Sequence, residues 1–178
     1  MTMALKSTIY KLALSISDID RNYYEEHTLT LARHPSETEE RLMVRVVAFA
    51  LHAHPQLTFG KGLSDDGEPA LRQDDLSGNT ELWIDVGHPD ERRVRKACGQ
   101  AQEVVVYCYS ERGSRIWWEQ NAQGFERHDN LTVAQLGVAG IDGLAARTMA
   151  LQCTIDGGTV WLSDDQSQCE IAVTELQR

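Results

Sequence analysis

The sequence predicts an α/β protein, a mixed β-sheet with flanking helices in a single domain over residues 1–178. Three observations carry this. The apolar residues alternate around Ile9–Ile16 and again over residues 27–33, then recur at helical spacing after Pro35, so strands give way to a helix. The run Val104-Val105-Val106-Tyr107 has the β-branched density of a strand covered on both faces, as a parallel βαβ crossover would provide. Asp156-Gly157-Gly158 between two apolar runs is a hairpin signal.

Taken in order, Ile9, Leu12, Leu14 and Ile16 mark a first strand, and residues 27–33, with Leu29 and Leu31 on one face, mark a second. The polar stretch between them closes an antiparallel hairpin. Ser36-x-x-Glu39 reads as a capping box, and Leu42, Met43, Val46, Val47, Phe49 and Ala50 continue a helix to about His54. Residues 56–60, 68–73 and 81–86 read as three short strands, with Ser77-Gly78-Asn79 as the turn before the last. After His88-Pro89 a helix is expected: Asp90 and Glu91 suit its positive end, Arg95 and Lys96 its negative end, and Gly99 its stop. Beyond the Val104 strand, residues 115–123 read as a short helix, 131–136 as a strand and 141–149 as a helix. Residues 149–155, 159–162 and 170–174 read as closing strands.

Composition bounds the function. The formal net charge of −10 opposes sequence-blind coating of nucleic acid, which depends on lysine and arginine displacing counterions. Between Ser64 and Glu91 stand nine acidic residues against Arg72 alone, the best field in the chain for a cation. Asp65, Asp66, Asp74 and Asp75 read more simply as solvated turn residues. No run of eighteen apolar residues and no signal peptide is visible, so a soluble, cytoplasmic protein with no membrane contact is expected. Cys98, Cys108, Cys153 and Cys169 form no C-x-x-C, which indicates idle thiols rather than a zinc site or disulfides.

The site reading centres on Glu68 and Asp85, two carboxylates expected to converge from neighbouring strands, with Lys96 arriving from the next helix. Such a layout can hold a divalent metal against a phosphodiester. From Glu40 onward the expected order is helix, three strands, helix, strand. That order resembles the core of the PD-(D/E)xK nuclease superfamily, here over about residues 36–110, with an added N-terminal hairpin and C-terminal strands. By this resemblance Glu68-Pro69 takes the place of the first acid, and Asp85-Val86-Gly87, seventeen residues on, that of the (D/E)-x-K element. Glu40 would match the acid often carried on the first helix. More narrowly, GEPAL and WIDVGHPDERRVRKA look like the YaeQ family, a compact variation on the nuclease fold.

The resemblance implies a Mg²⁺- or Mn²⁺-dependent phosphodiesterase acting on nucleic acid, with Glu68 and Asp85 holding the metal. One departure stands out. Gly87 occupies the lysine position, so Lys96 would have to supply that charge. For each residue a plainer role stands beside this one: Asp85 pairing with Arg92 or Arg93, Glu68 ending a turn, Glu40 on a polar helix face, Lys96 complementing the helix dipole. If those roles prevail, the chain is a non-enzymatic module whose acidic face meets a basic protein partner. Other motifs lead nowhere. His52 and His54 fall on different helix faces, Trp117 and Trp118 read as core, residues 137–143 lack a Walker lysine, and Ser64 and Ser77 have no triad spacing.

Overall fold

A computed structural model describes residues 6–60 and 67–178. Its first half runs β1 (Thr8–Asp18), β2 (Tyr23–Arg33), α1 (Glu39–Leu51), β3 (Leu57–Phe59), β4 (Leu71–Asp74), β5 (Thr80–Val86) and α2 (Glu91–Gln100). Its second half runs β6 (Ala101–Cys108), α3 (Glu111–Phe125), β7 (Leu131–Leu136), a short 3-10 turn at Ile141–Leu144, β8 (Thr148–Asp156), β9 (Thr159–Ser163) and β10 (Gln168–Gln177). The strands join in one sheet ordered β2-β1-β8-β9-β10-β7-β6-β5-β4-β3. Strand β1 runs parallel to β8, and β5, β6 and β7 run parallel to one another; the other neighbours are antiparallel.

The sheet curls into a nearly closed barrel around α1. An amphipathic helix on a flat sheet keeps one side in water. Here residues 42–50 are buried without exception, so α1 is packed on every side. Inward residues of β1, Tyr10, Leu12, Leu14 and Ile16, meet it together with Leu151, Cys153, Val160, Ile171, Val105 and Ile84 from further round the sheet. At the seam, Phe49 of α1 touches both edge strands: His27 of β2 lies edge-on at 5.1 Å between ring centroids, and Phe59 of β3 stacks at 5.4 Å.

A second, smaller core lies on the outer face of β5, β6 and β7. Trp83, Val104, Val106, Cys108 and Val133 are covered there by Val94 and Ala97 of α2 and by Trp117 and Phe125 of α3. The parallel crossover from β5 to β6 follows the expectation, with Ile84 opposite Val105. The two faces explain why β6 reads as an unbroken apolar run.

Several boundaries differ from those expected. The cap of α1 is Thr38, whose hydroxyl accepts from the Arg41 amide at 3.1 Å; Ser36 sits outside the helix, bonded to His34. The cause is Glu37, drawn inward so that its carboxylate meets Arg45, which leaves the helix to start two residues later. Ile9 faces out at 43 % exposure, and Tyr10 takes the inward position. Strand β2 starts at Tyr23, four residues before the predicted run. Gly99 does not stop α2, which runs on to Gln100 and passes straight into β6. The helix expected over 141–149 is only the 3-10 turn, because residues from Thr148 are claimed by the parallel ladder with β1. The hairpin at Gly157-Gly158 forms as expected, both glycines adopting positive φ of 59° and 82°. Among the described residues, no helix is long and apolar enough to cross a membrane.

Candidate functional site

Strand alternation decides which way Asp85 points. It shares the outer face of β5 with Trp83, while Leu82, Ile84 and Val86 face α1. Gly87, at φ 106°, turns the chain, and Asp90 then caps α2 by accepting from the Arg93 amide at 2.8 Å. That cap fixes the register of α2 and sets Arg93 one turn in, over Asp85. The guanidinium grips the carboxylate through two bonds, Nε to Oδ2 at 2.8 Å and Nη2 to Oδ1 at 3.0 Å. Asp85 is only 4 % exposed, so a paired cation is what makes its burial tolerable.

The same Nη2 also donates to the main-chain carbonyl of Glu68 at 2.7 Å. One nitrogen therefore ties the segment before β4 to the end of β5. A second tie lies at Gly60, whose amide donates to the Ala70 carbonyl at 2.8 Å. A side chain at position 60 would put its Cβ 2.2 Å from the Pro69 carbonyl oxygen, so only glycine allows this approach. The main chain of Glu68, a half-buried residue, is thus held near Asp85. Asp65 and Asp66 lie outside the described residues.

Lys96 is exposed on α2 and lines a groove of about 380 Å³ with Asp90, Arg92 and Arg93. The structure thus brings the Glu68 main chain and the Asp85 carboxylate together at Arg93, and Lys96 shares a groove with that arginine. It does not bring Glu40. That residue lies on α1, which packs against the opposite face of the sheet, and it borders a different groove of about 470 Å³ with Ser110, Glu111, Gln135, Glu170 and Thr174.

A metal ion meets a partly suitable donor set. Among the described residues no three of His, Cys, Asp and Glu converge as ligands. Yet an ionised carboxylate offers about four acceptor positions, and Arg93 takes two of those on Asp85. Mg²⁺ commonly needs only one or two carboxylates, with water and substrate oxygens completing its shell. Asp85 and Glu68 meet that minimum in residue type.

Three arrangements escape a reading of the sequence. Glu37, almost wholly buried, accepts from Arg45 Nε at 3.0 Å and Nη2 at 2.7 Å and also from Arg41. Its signal is present in the four-residue spacing of Glu37, Arg41 and Arg45. His52 Nε2 lies 2.6 Å from the Tyr107 hydroxyl, and burial, helped by Arg21, lowers the imidazole to about 4. Burial pushes the Tyr107 phenol up, so both partners stay neutral. Ser110 holds φ at 70°, a left-handed conformation rare outside glycine, at the junction of β6 and α3. Nothing in local pattern announces the last two. For Trp117 and Trp118 the expected core placement is correct: Trp117 is buried, its indole N–H bonded to the Pro89 carbonyl at 2.7 Å, and Trp118 packs against it half-buried.

Comparison with known proteins places these features in a family. A family model described as YaeQ protein matches residues 3–173. The chain is 46 % identical to the uncharacterized protein YaeQ of Escherichia coli K12 and 45 % identical to that of Salmonella typhi, each match covering 99 % of both chains. Among solved structures, the YaeQ protein from Xanthomonas axonopodis pv. citri superposes with a TM-score of 0.93 at 44 % identity, over 96 % of this chain and 98 % of the other. The YaeQ protein from Pseudomonas syringae gives a TM-score of 0.91 at 35 % identity, over 97 % of each chain. The chain belongs to the YaeQ family.

Proposed function

We propose that the region around Asp85 is a phosphodiester-handling site, that of a Mg²⁺- or Mn²⁺-dependent phosphodiesterase acting on nucleic acid. The observation that carries this reading is the meeting of the Glu68 main-chain carbonyl and the Asp85 carboxylate at one guanidinium, with Lys96 on the adjoining groove. Arg93 then fills the gap left by Gly87: it places a fixed positive charge against Asp85 from the helix instead of from the strand. Asp85 and Glu68 would hold the ion, whose chemistry is to acidify a bound water and screen charge on phosphate. Arg93 orients Asp85, and Lys96 meets the phosphate oxygens.

The test is a titration of Mg²⁺ and Mn²⁺ into wild type and Glu68→Ala/Asp85→Ala, following cleavage of single- and double-stranded substrates. Metal-dependent cutting that disappears in the double variant is expected. No cutting and no metal binding in the wild type would overturn the reading.

A second reading, a non-enzymatic module for a basic protein partner, is favoured by one specific feature. Glu40, Glu111 and Glu170 line a single groove, and none takes part in an ion pair among the described residues. Under it, a lysine-rich peptide binds wild type and loses at least tenfold in affinity toward Glu40→Gln/Glu111→Gln/Glu170→Gln, as read by anisotropy. Either reading fits a cytoplasmic setting, since all four cysteines are free thiols and burial raises each of them, Cys98 to about 11 and Cys153 to about 12.

A further inference from the structure

Helix α2 divides its residues by charge more sharply than its length requires. Val94 and Ala97 face the sheet, so Arg92, Arg95 and Lys96, related by steps of three and four, share the solvent side. All three are exposed. None of them enters an ion pair among the described residues, although the chain carries 27 acidic residues to 17 basic ones. Their neighbours explain how the stripe stays cationic. The Asp90 carboxylate is turned back to cap the helix, and the Glu91 carboxylate lies against α3, about 3.0 Å from where a Cβ at Gly124 would stand. Arg93 is occupied by Asp85 and so borders the stripe without adding free charge.

We infer that the solvent face of α2 is a docking surface for the phosphate backbone of nucleic acid, with Arg92, Arg95 and Lys96 each meeting a phosphate. The choice of polymer rests on the phosphodiester reading above. What recommends the surface on its own is charge complementarity: three cations with no ion pair among the described residues on one helical face of a strongly acidic chain, and a groove bounded by two of them and by Arg93, the partner of Asp85. Such binding is modest and salt-sensitive, because three contacts release few counterions and the remainder of the surface repels the polymer.

The experiment is fluorescence anisotropy with labelled single-stranded and duplex oligonucleotides, in the presence of a chelator so that no metal-dependent step intervenes. Three phosphate contacts predict a log–log salt slope of about −2.7 for duplex and about −2.1 for single strands. In Arg92→Ala/Arg95→Ala/Lys96→Ala the slope should fall to near zero and affinity drop at least tenfold at low salt. Because all three side chains are in solvent, an unchanged thermal unfolding curve is expected for that variant. The control Arg112→Ala/Arg115→Ala, on α3, should bind as wild type does. Equal binding by wild type and the α2 variant, or an equal loss in the α3 control, would overturn the proposal. If stripe-dependent binding persists while cleavage is absent at any metal concentration, the enzyme reading fails and the docking surface stands.

Discussion

Two arginine–carboxylate clasps in this molecule have the same bond pattern and opposite surroundings. Arg45 and Glu37 sit inside the barrel with both side chains at 0 % exposure, whereas Arg93 and Asp85 lie on its outside at 24 % and 6 %. In both, Nε and Nη2 address the two carboxylate oxygens. Burial alone separates a clasp that cannot let go from one that can. Sealed away from water, Glu37 has only Arg41, already bonded to it, besides Arg45, so the pair is architecture. A guanidinium open to a groove can exchange partners with solvent or ligand, and that freedom is what a working site needs.

The largest test of this contrast is removal of Arg45. Arg45→Met leaves the Glu37 carboxylate buried with only Arg41 to meet it, and a loss of roughly 3–5 kcal/mol in urea unfolding is expected. A loss no larger than the roughly 2 kcal/mol expected on removing Arg93 would mean that the interior pair is as exchangeable as the outer one. A neutral buried group gives the next effect. His52, lowered to about 4 in the folded chain, is neutral there while the unfolded chain takes up a proton below its ordinary value of 6.5. Its contribution is therefore complete above pH 6.5 and lost as pH falls toward 4, a change of roughly 2–3 kcal/mol, since each tenfold difference in proton affinity between the folded and unfolded chain corresponds to about 1.4 kcal/mol. His52→Gln should flatten the stability profile across that window.

The outer clasp comes third. Arg93→Ala should cost about 2 kcal/mol, less than the inner variant because water can reach the freed carboxylate. It should also raise Mg²⁺ or Mn²⁺ affinity measured by calorimetry, since two acceptor positions on Asp85 are released. Unchanged metal binding would argue that Asp85 never faces an ion. The smallest effect concerns the segment that delivers Glu37. Thr38→Ala removes the helix cap and should cost about 1 kcal/mol in the same urea unfolding measurement, while Ser36→Ala should cost a few tenths at most.

Much of this architecture is legible because it is written in short-range pattern. The order of elements from α1 to β6, the parallel crossover and the glycine hairpin all follow from periodicity and turn chemistry. The start of α1 does not, because Ser36 and Thr38 are equally good caps locally, and the decision is made by a contact eight residues away, between Glu37 and Arg45. The helix expected near Ile141 fails for a similar reason: β1, more than a hundred residues earlier, recruits Thr148 onward into its ladder. For the site, Asp85 and its partner helix are visible, and pairing with Arg92 or Arg93 is one of two open roles. Which arginine it is depends on the cap at Asp90. The separation of Glu40 from Asp85 is hidden, because nothing in the spacing tells which face of a curling sheet a helix will choose.

Arg45 also reaches past Glu37. Its Nη2 donates to the Ala32 carbonyl on β2 at 2.9 Å, and its guanidinium lies 5.9 Å from the Phe59 ring centre on β3, so a single residue buttons the two margins of the wall together. Both margins therefore share their contacts with the enclosed helix that carries Arg45. Amide protons of both margins should consequently exchange with deuterium as one cooperative unit, opening together or not at all.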